Sequence, residues 1–478
     1  MNDQLIMSRI GVAGSILIPL GLAASTISSA IGSVLVAPRT LQAIGVDRSM
    51  PIPVLNKFFA SGRGDMNEPF NSTIVTSVIA MIFVILGDVN AVAEIISMFF
   101  MVTYGSICLI SFLHHFGSDP SYRPTFRSRW YFSLIGFIFC IWLMFQMSSA
   151  YAFLSIFLMI IMYIVISRYH KDRMGLELIF QGAVFQLSRK IQVYLQKVRK
   201  LKQTWRPSAV CISKYSFERD KAFDLLNWIS YRHGFGTYIH LIEGYYSKAS
   251  NQEAKNVLKD LISMSSKQKG NMYVDTMISP SYTSAIAQLL QIPSPSGMEN
   301  NMVIFEYDKN KPEELQPIVE NIALTRAGEY DVCVLGSSVR NTKYENGIHV
   351  WIRNLDEVNA NLMILLSFII LGHPDWDKSF IKIFNLCDED EVGEIRKKMS
   401  ELVVSGRLPI TERNIEILIR NDQSGLREMV NEKSRDAGLT IIGFKNEQLV
   451  HEGIKTFEGY DRIGDILFIN AYSAKKIQ

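Results

Sequence analysis

The sequence predicts an α-helical membrane domain followed by a cytosolic α/β domain with mostly parallel sheet. Three observations carry this expectation. All the long apolar stretches fall within residues 1–168. Nearly all charge-dense stretches lie beyond them. In that second part, short apolar runs alternate with helical patterns, the arrangement that builds parallel sheets. The expected boundaries are a transmembrane domain over 1–169, an amphipathic connecting helix over 170–204 and the α/β domain over 205–478.

A membrane span needs about 20 apolar residues. Five stretches approach that length: 12–36, 71–87, 92–113, 131–147 and 150–167. The second and fourth are short. The last two are separated by a tight Ser148-Ser149-Ala150 connection. The first is too long for a signal peptide and only Arg9 precedes it as a basic residue. Between the first two spans, Leu41, Ile44 and Val46 form a short amphipathic pattern, and Pro51 and Pro53 are expected to end any helix there.

Lys and Arg in the loops set the orientation. The loop at 37–70 carries Arg39, Arg48, Lys57 and Arg63, and the loop at 114–130 carries Arg123, Arg127 and Arg129. The loops near Asp88 and Ser148 carry none. The basic loops and the C-terminal half therefore share the cytoplasmic side of the plasma or inner membrane. Five spans with a cytoplasmic C-terminus put Met1 outside, yet residues 1–10 hold no targeting signal. The expectation is the C-terminal part of a longer transporter whose preceding helices are partners of these.

The first span carries a hydroxyl cluster at its middle: Ser25, Thr26, Ser28 and Ser29. Lipid-facing helices avoid polar side chains, so such a cluster points to an ion path. Hydroxyl and carbonyl oxygens suit a small hard cation. The competing reading is that small residues let helices pack closely in lipid.

In the soluble half, residues 170–204 alternate apolar and basic residues at helical spacing, with Ile179, Val184, Leu187, Ile191, Leu195 and Val198 on one stripe. The basic residues there would meet anionic lipid or simply face water. Strand-like runs follow at 209–212, 236–242, 272–274, 302–305, 332–335, 348–352, 381–384, 415–419, 439–443 and 465–469. Helix-like runs lie at 221–230, 251–265, 315–326, 358–371, 391–405 and 424–436. The alternation predicts two α/β units. The stretch His373-Pro374-Asp375-Trp376-Asp377 reads as a surface loop.

Composition narrows the function. A net charge of +3 is too small to suggest nucleic-acid binding. The five cysteines are scattered, without metal-ligand spacing or a disulfide framework. No phosphate-binding glycine loop and no nucleophile elbow is present, so an enzyme is not expected. No cofactor is expected. The acidic run from Asp388 to Glu391 reads as a helix N-terminus rather than a metal site.

The residues STISSAIGSVLVAPRTLQAIGVDR, NEPFNS, ISMFFMVTYGSICLISF, PSYRPTF, WRPSAVCIS and the stretch from IHVWIRNLDEVNANLMILLSFII through FIKIFN occur in one order. Together they resemble the cation-chloride cotransporters, a family of the amino acid–polyamine–organocation superfamily. The resemblance covers essentially the whole chain, and the motifs at 25–48 and 346–386 are its most specific parts. It implies a fold of twelve spans containing two inverted repeats of five, of which this chain would hold spans eight to twelve. It implies sodium binding by the Ser28 and Ser29 hydroxyls and the Ser25 carbonyl, and chloride binding by the Tyr104 hydroxyl. Sodium, chloride and in some members potassium would be cargo. The broken first and sixth spans that build most of the ion sites fall outside this sequence. Glu94 stands where the family usually has an uncharged residue. The soluble half would be regulatory and would form a homodimer, with a likeness to universal stress proteins.

Three functions compete. The first is a sodium-coupled chloride symporter, with potassium as a further ion. The second is an amino acid permease of the same superfamily, though the long α/β tail is foreign to such permeases. The third is a membrane-anchored α/β sensor without transport.

Overall fold

A computed structural model describes residues 13–117, 129–169, 175–198, 205–267, 271–353, 357–397, 412–419 and 425–475. The chain divides into two compact units, Met1–Lys190 and Ile191–Gln478.

The first unit is helical. Its elements are α1 (Gly14–Val46), α2 (Pro53–Ala60), α3 (Phe70–Leu86), α4 (Val89–Gly117), α5 (Trp130–Met147) and α6 (Ser149–Tyr169), and it includes most of α7 (Gly175–Val198). Four of them, α1, α4, α5 and α6, are long and apolar enough to cross a membrane. Helix α3, with 17 residues, is shorter. Burial marks the unit as one made for lipid. Leu20, Val84 and Phe157 are 66%, 73% and 60% exposed. In water, exposing so much apolar surface would oppose folding, whereas a bilayer makes it neutral.

Two differences from the sequence reading stand out. The amphipathic pattern at 41–46 is not a separate helix. Helix α1 runs unbroken through Pro19 and Pro38 to Val46. At 33 residues it rises about 50 Å, more than a hydrocarbon core of about 30 Å requires. Its far end therefore packs on protein: Gln42 is buried and donates to the Asn67 carbonyl at 3.2 Å, and Gly45 meets Phe59 and Ala60. Pro53, expected to stop a helix, instead opens α2 at its first turn, where a missing N–H costs nothing. Polar contacts tie these elements. Asn56 bonds both backbone groups of Met50, and Asn71 donates to the Phe58 carbonyl at 2.9 Å.

Helix α4 packs on α5 through small residues. A Cβ on Gly105 would lie 3.3 Å from Cys140 Cβ, and one on Gly136 would lie 3.1 Å from Cys108 Sγ. Close backbones of this kind hold helices together in lipid. Met98, Met144 and Ala152 make the small core where α4, α5 and α6 meet.

The second unit holds ten strands: β1 (Ser208–Ser213), β2 (Phe235–Glu243), β3 (Tyr273–Ser279), β4 (Met302–Asp308), β5 (Asp331–Ser337), β6 (Ile348–Arg353), β7 (Ile381–Cys387), β8 (Ile415–Ile419), β9 (Leu439–Gly443) and β10 (Ile466–Asn470). The helices between them are α8 (Lys221–Ser230), α9 (Lys248–Lys267), α10 (Tyr282–Gln291), α11 (Leu315–Ala327), α12 (Glu357–Leu371), α13 (Leu426–Lys433) and α14 (Asn446–Glu452). Helices α10 and α14 are short and escaped the periodicity analysis. Of the helix expected at 391–405, residues 392–397 are helical and 398–405 lie outside the described residues.

All ten strands join one sheet in the order β3-β2-β1-β4-β5-β10-β9-β6-β7-β8. The two expected α/β units are thus not separate sheets. Each half repeats one order, with β6, β7, β8, β9 and β10 standing where β1, β2, β3, β4 and β5 stand in the other. Every strand pair is parallel except β5 with β10, which run antiparallel with Phe468 opposite Val334. That pair is the seam of a two-fold repeat. Strand side chains alternate between two cores: Ala209 and Cys211 face α8 and α12, whereas Val210 and Ile212 face α10 and α11.

The stretch at 373–377 is no surface loop. Trp376 is fully buried, edge-on to Trp228 at 5.2 Å and to Tyr344 at 5.1 Å. Phe468 is likewise buried at the seam, edge-on to Phe457 and Tyr460. Phe468→Ala should destabilise the unit by about 3–5 kcal/mol, measured by urea unfolding. Val450→Ala, at a position 81% exposed, should stay within about 0.5 kcal/mol. A cost below about 1 kcal/mol for Phe468→Ala would contradict the seam as a packed core.

Candidate functional site

Residues 14–38 contain no charged side chain, and the hydroxyl cluster sits in their middle. In a helix, positions i, i+3 and i+4 share a face. Ser25, Ser28 and Ser29 therefore lie together on one side of α1, and Gly21 and Gly32 extend that side by a turn at each end. A Cβ at either glycine would meet nothing within 4 Å. All three serines are exposed. The result is a smooth, polar, open strip along an otherwise apolar helix.

Thr26 lies off this strip and is used locally. Its hydroxyl donates to the carbonyls of Leu22 and Ala23, both at 3.0 Å. Ser33 donates to the Ser29 carbonyl at 3.0 Å. The Ser25 carbonyl belongs to an unbroken helical stretch. A carbonyl in the ladder keeps a second lone pair for another partner.

Tyr104 is on α4, four residues after Phe100. Their rings stack at 6.2 Å, and Tyr104 is 56% exposed. The serines and the tyrosine are not gathered into one site. Helix α1 packs chiefly on α2 and α3, and α4 chiefly on α5 and α6. Among the described residues, no hydrogen bond or ring contact joins Tyr104 to Ser25, Ser28 or Ser29. Glu94 is half-buried in the first turns of the same helix.

Titratable groups in the α/β unit are buried but dispersed. Burial pushes Glu306, at the end of β4, up to about 7, with Arg219 opposing the rise. Burial and neighbouring Asp220 push Asp224 on α8 up to about 7. Lys309 falls to about 8 through burial, and its ammonium donates to the carbonyls of Ile463 and Gly464. Asp465 pairs with Lys221 at 3.2 Å and accepts from the Ser338 N–H at 2.8 Å. Asp331 pairs with Lys475 at 2.9 Å. Asp465 and Asp331 tie loops and strand ends together, whereas both Glu306 carboxylate oxygens are buried without a hydrogen-bond partner among the described residues. Sequence reasoning passed over them, although a single charge beside an apolar run, as in GDILFIN, is the signal of a buried tie. Among the described residues, no group of three or more His, Cys, Asp or Glu is arranged to hold a metal.

His349 on β6 has a clear consequence for pH. Trp351 Nε1 donates to Ser434 Oγ at 2.9 Å, and the same hydroxyl shares a hydrogen bond of 3.0 Å with His349 Nδ1. Burial, reinforced by Lys382, lowers the imidazole to about 4. The unfolded histidine titrates near 6.5. The stability held by neutral His349 is therefore complete above about pH 6.5 and is lost as pH falls toward about 4. Glu306 has the opposite sign, its contribution being present at low pH and lost as pH rises toward about 7. His349→Gln should flatten the loss of stability on the acid side, and Glu306→Gln should flatten the decline as pH rises toward neutrality. Urea midpoints between pH 4.5 and 7.5 test both. Unchanged slopes would contradict the assignments.

Comparison with known proteins covers both halves. A family model described as amino acid permease matches residues 4–207. Cation-chloride cotransporter 2 of Oryza sativa subsp. japonica is 25% identical over 429 residues, covering 85% of this chain and 42% of that protein. Solute carrier family 12 member 1 of Rattus norvegicus is 26% identical over 312 residues, covering 65% of this chain and 28% of that protein. The chain thus spans less than half the length of these relatives. A solved structure, the cytoplasmic domain of a prokaryotic cation chloride cotransporter, aligns over 56% of this chain and 96% of its own, at 15% identity and a TM-score of 0.40. The similarity to cation-chloride cotransporters thus runs along most of the sequence, and the similarity to amino acid permeases covers residues 4–207.

Proposed function

We propose that this chain supplies spans and the cytoplasmic α/β domain of a secondary transporter that moves chloride together with sodium, with potassium as a further ion. The observation that carries the reading is the serine strip. Ser25, Ser28 and Ser29 share one charge-free helix face, flanked by Gly21 and Gly32, and all three are exposed among the described residues. Two hydroxyls and a carbonyl offer part of an oxygen shell for a hard cation. They do so without a fixed negative charge, so the cation can leave again.

Tyr104 supplies the complementary chemistry. A phenolic O–H donates to a dehydrated anion without trapping it as an ammonium or guanidinium would. Sodium and chloride held on separate helix groups, α1 and α4, would be brought into one pathway by neighbouring helices of the assembled transporter. Most other ion ligands would come from those helices, as broken spans do in this class of fold. Relatives named cation-chloride cotransporters support chloride as the anion, and they match this chain through the α/β half as well. The amino acid permease match to residues 4–207 favours the second reading, an amino acid substrate. Chloride dependence of uptake separates the two.

In the assembled transporter, Ser28→Ala combined with Ser29→Ala should abolish sodium-dependent chloride flux. Alanine is the better helix former, so α1 itself is not threatened. Unchanged sodium dependence would remove the serines from the site. Tyr104→Phe deletes one hydroxyl and should raise the chloride concentration for half-maximal flux roughly tenfold or more, the worth of a hydrogen bond to a charged group. An unchanged value would leave Tyr104 a packing residue.

A further inference from the structure

Helix α7 is attached to the helical unit by its polar face. Gly182, Gln186 and Lys190 recur every four residues and so form one face. That face docks on the end of α4. A Cβ on Gly117 would lie 3.2 Å from the Gly182 carbonyl carbon. Gln186 is buried there and donates to the Gly117 carbonyl at 3.3 Å. The Lys190 ammonium stands 4.9 Å from the centre of the Phe116 ring.

The apolar stripe points elsewhere. Phe180, Val184, Leu187 and Ile191 follow helical spacing and are 45%, 64%, 52% and 49% exposed. At about 100° per residue, this stripe is centred roughly a third of a turn from Gln186, and Phe185, 63% exposed, lies on the other side of the stripe. A soluble helix would bury the stripe and expose the amide.

The level at which α7 is held is also fixed. Gly117 ends a 29-residue apolar helix, and α6, just upstream in sequence, closes with Arg168 in its last turn. If α4 and α6 are spans, Gly117 lies at or just beyond the edge of the hydrocarbon, because 29 residues rise about 44 Å against a core of about 30 Å, and α7 is held at headgroup level. Arg189 and Lys197 are exposed on the polar side. An apolar stripe opposed by cations at this depth matches an anionic leaflet, with the stripe among the upper acyl chains and the basic heads at the phosphates.

We propose that α7 is an interfacial helix seated in the anionic cytoplasmic leaflet, with Phe180, Val184, Leu187 and Ile191 turned into lipid and Gly182 and Gln186 turned onto α4. The cytoplasmic α/β unit begins within this helix, so lipid charge would bear directly on the element that carries it. The inference rests on the reading of α4 and α6 as membrane spans.

The test is photo-crosslinking of the full chain in vesicles of phosphatidylcholine with phosphatidylglycerol. Benzoylphenylalanine is placed singly at Val184, Leu187, Gln196 and, as a reference inside a span, Phe157. The expected result is a phospholipid adduct by mass at Val184 and Leu187, several-fold above that at Gln196. Omitting phosphatidylglycerol should reduce the Leu187 adduct several-fold while leaving Phe157 unchanged. Lipid adducts at Phe157 but none at Val184 or Leu187 overturn the proposal and leave the spans standing. A covalent dimer at Val184 or Leu187 overturns it in favour of a second copy of the chain. No lipid adduct at Phe157 either overturns the membrane reading on which it rests.

Discussion

The antiparallel pairing of β5 with β10 holds the α/β unit together. Two runs of five strands share one order, and each would end in an exposed edge at its fifth strand. Such edges invite pairing with other chains. Pairing the two fifth strands removes both edges at once. The equivalent strands meet head to tail, the only mismatch in an otherwise parallel sheet. Both cores then run continuously across the seam, with Leu467 and Ile469 in one and Ile466 and Phe468 in the other. Burial on both faces explains why the strands read as nearly continuous apolar runs rather than alternating ones.

A different constraint governs the helical unit. In lipid the backbone must satisfy itself and apolar contact gives no driving force, so shape and sparse polar contacts decide the packing. Gly105 against Cys140 and Gly136 against Cys108 supply shape. Asn56, Asn71 and Gln42 supply polar ties, all where α1, α2 and α3 meet outside the apolar stretch. The Ser25, Ser28 and Ser29 strip is the exception, being polar, at mid-helix and exposed among the described residues. A strip of this kind fits cation passage because it offers oxygens without fixed charge. The same logic extends to α7, whose exposed apolar side is proposed to face lipid.

Much of this organisation was legible in the sequence, and the failures have physical causes. Strands β8 and β9 match the expected 415–419 and 439–443 residue for residue, because both are short, sharply bounded apolar runs, β9 fully buried and β8 half-buried at the sheet edge. Helix α8 matches 221–230 for the same reason. Helix α14 was missed because seven residues show too little periodicity. Pro53 misled because proline breaks a helix interior but suits its first turn. Trp376 misled because the polar letters of His-Pro-Asp-Trp-Asp outweighed one large aromatic that had to be buried. The serine strip was visible as a cluster, but Gly21 and Gly32 extend it only once helical angle is counted. No sequence pattern foretold the single ten-stranded sheet. Alternation of strand and helix gives parallel order within each half, and nothing local encodes the antiparallel join.

The most direct test of the account is isotopic chloride uptake into membrane vesicles from cells with and without the intact gene for this chain. An inward sodium gradient is imposed and the membrane potential is clamped. The account predicts gene-dependent chloride uptake that requires sodium and persists at zero potential. Uptake that is independent of sodium, or an amino acid that enters without any need for chloride, would contradict it.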